Sequence, residues 1–165
     1  MGRLFIMGLI CSGFAFSCFA QPIGYSVQMG PISVNCVDRT GTPVMNHSGV
    51  TGQAAMSTFI GGQPAIILDF QSLWKTPLEF GIFTYAHECA HHYLGHVINA
   101  SYNLNKQHEL DADCAAAKVT RSYGLLSPSA FAIAMNVLNT YPGDNAHPPG
   151  RDRVQNAYAC YNTMP

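Results

Sequence analysis

Strands early and helices late make this chain an α+β protein, with a small antiparallel sheet packed on a helical bundle. Two observations lead there. Residues 25–70 carry short apolar runs broken by Gly and Pro, the signature of strands and tight turns. Residues 76–159 carry longer stretches opened by capping residues and closed by Gly or Pro, the signature of helices. A third observation sets the size: 165 residues that begin with an export-like segment leave about 145 for one domain with a single core.

That opening segment reads as a signal peptide over residues 1–20. Arg3 supplies a positive start, residues 4–16 are apolar, and Cys18-Phe19-Ala20 offers small residues ahead of a cut before Gln21. The run is short for a membrane span, although left uncut it would serve as an anchor. The remainder, residues 21–165, is a single domain, periplasmic or secreted.

Within it, residues 25–37 read as short strands broken at Gly30-Pro31, and residues 39–50 as loop, rich in Gly, Pro and Asn. Residues 53–60 and 64–70 form a hairpin around Gly61-Gly62, with Ala65-Ile66-Ile67-Leu68 the clearest strand. Trp74 is expected to pack beneath the following helix as a staple. Thr76-Pro77-Leu78-Glu79 predicts that helix's start, with Thr76 as N-cap, and its end falls near Val97 or Ile98. A second helix covers residues 106–123 and stops at Gly124. Ser127-Pro128 opens a third that runs to about Thr140, and a short last helix spans residues 151–159.

The chemistry sits on the first long helix, in His87-Glu88-Cys89-Ala90-His91. Helical spacing puts His87 and His91 on one face, where two imidazoles hold one Zn²⁺, and places Glu88 beside them as a general base for a metal-activated water. A catalytic zinc needs a third protein ligand and one open position. The metzincin arrangement would require His at the position of Val97; His96 comes one residue early and is turned away from the ligand face. The next helix supplies Glu109-Leu110-Asp111-Ala112-Asp113 instead. Glu109 is read as the third ligand, and Asp113, on the same helix face, as acceptor for the free N–H of a ligand histidine.

These tracts resemble the HtpX-like and Oma-type gluzincin metallopeptidases: HExxH, then ExxAD on the next helix, then His147-Pro148-Pro149 and an Arg, here Arg153, on a short final helix. The resemblance covers most of residues 46–159. It implies a zincin-like fold, a zinc endopeptidase acting on a protein or peptide substrate, and His147 or Arg153 as donor to the tetrahedral oxyanion. It also implies that the strand over residues 65–69 is an edge to which a substrate chain adds. Residues 86–96 resemble the zinc helix of the ImmA/IrrE-like peptidases too, but an export signal fits that cytoplasmic group poorly. A different class of function is a non-catalytic module that keeps zinc for folding and binds a peptide or partner. Such a module has no need of Glu88, which is intact.

Other features bound the partners. Net charge is −1 and charged residues are 10% of the chain, so no basic surface for nucleic acid exists, and so lightly charged a protein fits work close to a membrane. Cys36, Cys89, Cys114 and Cys160 allow three disulfide pairings; Cys89–Cys114 with Cys36–Cys160 is preferred, because it ties the two ligand-bearing helices together. His92 is expected on an exposed helix face, His96 and His108 as solvated or capping residues, and His47 in a loop.

Overall fold

The computed structural model describes residues 20–98, 101–102 and 105–163, so the expected signal over residues 1–20 lies, except for Ala20, outside the described residues. Among them the element order is β1 (Gln21–Gly24), β2 (Ser26–Met29), β3 (Ile32–Asn35), β4 (Met45–Ser48), β5 (Ala55–Ile60), β6 (Gln63–Leu68), α1 (Phe70–Leu73) and α2 (Leu78–Leu94). There follow β7 (Val97–Ile98), β8 (Ser101–Tyr102), α3 (Lys106–Ser122), α4 (Pro128–Leu138) and α5 (Gly150–Asn162). The fold is α+β, as expected, and no described helix is long and apolar enough to cross a membrane.

The main sheet has the order β1-β4-β6-β5 and is mixed rather than antiparallel, because β4 runs parallel to β6. The sequence reading missed β4 and assigned its residues to a loop. Its polar tract Met45-Asn46-His47-Ser48 hides the strand, yet Asn46 and His47 are buried and the Asn46 amide donates to the Gly24 carbonyl at 3.0 Å. With β4 paired on one side and β5 on the other, β6 is interior, and the edge strands are β1 and β5, of which β5 carries Ser57 toward the site. The expected edge over residues 65–69 is corrected accordingly.

Helix ends follow local chemistry. Thr76 does not cap α2: its hydroxyl donates back to the Leu73 carbonyl at 2.8 Å, and Pro77 is the cap residue with no side-chain bond. The helix stops at Leu94 rather than near Val97, because Gly95 adopts φ 74° and turns the chain in a left-handed cap. Asn105 caps α3 by accepting from the Gln107 and His108 amides, and Ser127 caps α4 by accepting from the Ala130 amide. The last helix is longer than expected, running to Asn162.

The core lies between α2, α4, α5 and the sheet. Phe131 stacks on Tyr161 at 4.0 Å and meets Phe83 edge-on at 5.8 Å, while Ile66 and Leu68 of β6 are fully buried beneath α2. Trp74 is no staple: it is 80% exposed and lies tilted on Phe70.

Disulfides join Cys36 to Cys89 and Cys114 to Cys160, which overturns the preferred pairing. The first ties α2 to the end of β3 and the second ties α3 to α5. Thus Cys89 faces the β2–β3 hairpin while Cys114 faces the last helix, because helix packing sends their side chains in different directions.

Candidate metal centre

One turn of helix separates His87 and His91, and their Nε2 atoms converge to 3.0 Å. Glu109, in the first turn of α3, reaches both: Oε2 lies 3.2 Å from His87 Nε2 and Oε1 lies 3.4 Å from His91 Nε2. Ligand atoms about 2.0–2.2 Å from a tetrahedral ion stand roughly 3.3 Å apart, so this triangle has the size of a zinc face. The three residues form the one metal-competent His/Glu group among the described residues, and all three are buried. Glu109 is 1% exposed and its Oε2 has no hydrogen-bond partner, a buried orphan that a cation satisfies.

Charge points the same way. Glu88, Glu109 and Asp113 are buried with one buried guanidinium, Arg153, which leaves two negative charges for a divalent ion or for imidazole protons to balance. Without an ion, burial disfavours a charged His87, but the adjoining Asp113 and Glu109 outweigh it and lift this imidazole to about 10. Burial pushes the Glu109 carboxyl upward, yet the imidazoles of His87 and His91 that face it hold it far below the usual carboxylate range.

Asp113 sits where the spacing placed it. Its Oδ1 lies 2.9 Å from His87 Nδ1, so it orients the ring with Nε2 toward the ion position. Arg153 reaches back from α5 and grips Asp113 in a fork, Nε to Oδ2 at 2.7 Å and Nη2 to Oδ1 at 2.8 Å. The same Nη2 is 3.5 Å from Glu109 Oε2. His147 hangs over the site from the loop before α5, with Nε2 3.7 Å from Glu109 Oε2 and Nδ1 2.9 Å from Asp144.

Two contributors escaped the sequence reading. Ser57 on β5 places its hydroxyl 2.6 Å from Glu88 Oε2 and 2.7 Å from the Glu88 carbonyl, pinning the carboxylate against the edge strand. Strand alternation was the available signal, since it puts Ser57 on the inner face with Ala55. Asp144 organises the His147 loop by accepting from the Ala146 and His147 amides at 2.7 Å each. An Asp three residues ahead of the histidine is the sequence trace of that turn.

Three histidines are corrected. His92 is buried at 2% exposure, and its Nε2 lies 2.9 Å from the Ala65 carbonyl, because that face of α2 rests on β6. His96 and His108 are not free in solvent either: their rings stack at 4.2 Å, and His96 Nδ1 lies 3.1 Å from His91 Nδ1.

A cleft of about 310 Å³ opens onto the site. His87, Glu88, Glu109, His147 and Arg153 line one side, Phe80, Phe83, Leu138 and Tyr141 another, and residues 52–55 leading into β5 form the rim. No protein-family model, curated protein or solved structure matches the chain.

Proposed function

We propose that the protein is an exported zinc endopeptidase of zincin-like fold, a small relative of the HtpX-like and Oma-type gluzincins. The observation that carries this reading is the buried triangle of His87, His91 and Glu109, of which His87 and Glu109 line the same cleft as Glu88. Zinc, when bound, supplies Lewis acidity to a carbonyl oxygen and acidity to water at its open position. His87, His91 and Glu109 would hold it, with Asp113 and Arg153 keeping His87 in the ligating orientation. Glu88, held by Ser57, takes the proton from water as water adds to a peptide carbonyl, and returns it to the departing amine. His147, braced by Asp144, and Arg153 both face the cleft and are the candidates to stabilise the oxyanion.

Two disulfides fit an oxidising compartment outside the cytosol. Substrates are proteins or peptides, and the apolar wall of Phe80, Phe83, Leu138 and Tyr141 suits an apolar side chain next to the bond that is cut. The test is cleavage of casein or a peptide library by zinc-loaded protein. Expected is chelator-sensitive activity that Glu88→Ala abolishes, and metal content that Glu109→Ala reduces well below one ion per chain. A metal-loaded protein that cleaves nothing, with Glu88→Ala indistinguishable from it, would leave a zinc-stabilised binding module as the correct reading.

A further inference from the structure

We propose that His96 is the outer hydrogen-bond partner of His91, setting the tautomer in which His91 presents Nε2 to the metal. The inference rests on the reading of His87, His91 and Glu109 as a metal site. It gives His96 a positioning role that motif spacing alone argues against.

The argument begins with proton counting on His91. Its Nε2 is the atom that converges with His87 and Glu109, so in the ligating state that nitrogen carries no proton and the proton resides on Nδ1. His91 is only 2% exposed, and an Nδ1–H turned into the protein without an acceptor would be a costly orphan. The atom opposite is His96 Nδ1 at 3.1 Å, within hydrogen-bond range. His91 therefore donates, His96 accepts, and the His96 proton is placed on Nε2. The two ligand histidines are thus held by different chemistry: a carboxylate, Asp113, behind His87, and an imidazole, His96, behind His91.

The backbone is built to deliver His96 to that point. Gly95 in the left-handed region reverses the chain at the end of α2, and the His96 amide donates to the His91 carbonyl at 2.9 Å, folding the residue back over the turn it has just left. On its other side the His96 ring lies nearly parallel to that of His108, with an interplanar angle of 10°. His108 immediately precedes the third ligand, Glu109, so the stack joins the end of the histidine helix to the start of the glutamate helix.

The test measures zinc affinity by competition with a chromophoric chelator on the disulfide-intact full chain. His96→Phe keeps a ring over His108 but removes the acceptor, and the expected result is a loss of about 10- to 100-fold in affinity. His96→Asn restores an acceptor and is expected to recover most of that loss. Long-range ¹⁵N–¹H correlation spectra of the zinc-loaded parent need no variant; they are expected to place the His91 proton on Nδ1 and the His96 proton on Nε2. Parent-like affinity in His96→Phe, or a His96 proton found on Nδ1, overturns the assignment and leaves the metal site standing. A parent protein that takes up no more zinc than Glu109→Ala overturns both.

Discussion

At the scale of single residues the centre is a problem in proton placement. His87 in the metal-free protein is lifted to about 10 by Asp113 and Glu109 against the opposing effect of burial. A histidine raised above its ordinary 6.5 stabilises the folded metal-free chain fully below that pH, and the contribution fades as pH rises through about 10. Zinc competes with that proton for Nε2, so its affinity should run the other way, tightening about tenfold per pH unit for each proton displaced. Chelator competition at several pH values across the neutral range checks the slope; a flat line would mean that no ligand proton is released. Ser57 sets a second expectation, because its hydroxyl is the contact that fixes the Glu88 carboxylate. Ser57→Ala should lower kcat about tenfold with zinc content unchanged, as expected of a base that has lost its positioning, and Ser57→Thr should restore much of it. His87, Glu88 and His91 were legible because helical periodicity alone aligns them, whereas Ser57 was not, since its contact crosses 31 positions of chain.

Between elements, the decisive features are where α2 stops and what lies on either side of it. The Gly95 cap ends the helix short of the expected boundary and turns His96 back toward His91. A Cβ at Gly95 would sit 3.0 Å from Arg39 Nη1 as well as straining a φ of 74°. Gly95→Ala should therefore cost about 1–2 kcal/mol in chemical denaturation and weaken zinc binding with it, by displacing His96. An unchanged midpoint would show that the turn tolerates a side chain. Helix order and most helix starts could be read from capping residues such as Asn105 and Ser127, which act over one turn. Strand β4 could not, because its Asn46 and His47 are buried polar residues whose burial depends on β1 and β6 arriving beside them.

For the whole molecule, two disulfides fasten the site from both sides, one holding α2 to the strand region and one holding α3 to α5. Each closes a loop of about 50 residues, which in the chain-entropy account contributes about 4 kcal/mol to stability. Reduction is expected to lower the unfolding temperature sharply and release zinc, because the helices carrying His87, His91 and Glu109 lose their anchors together. Peptide mapping without reductant should recover Cys36 with Cys89 and Cys114 with Cys160; any other linkage would refute this arrangement. The sequence by itself determined the α+β order and the spacing that sets His87, Glu88 and His91 along one helix and Glu109 and Asp113 along the next. Only the tertiary structure decided the cysteine pairing, the strand that borders the cleft, the Arg153 fork and the place of His96. Each of those depends on which faces of separate elements meet, and packing sets that rather than local periodicity.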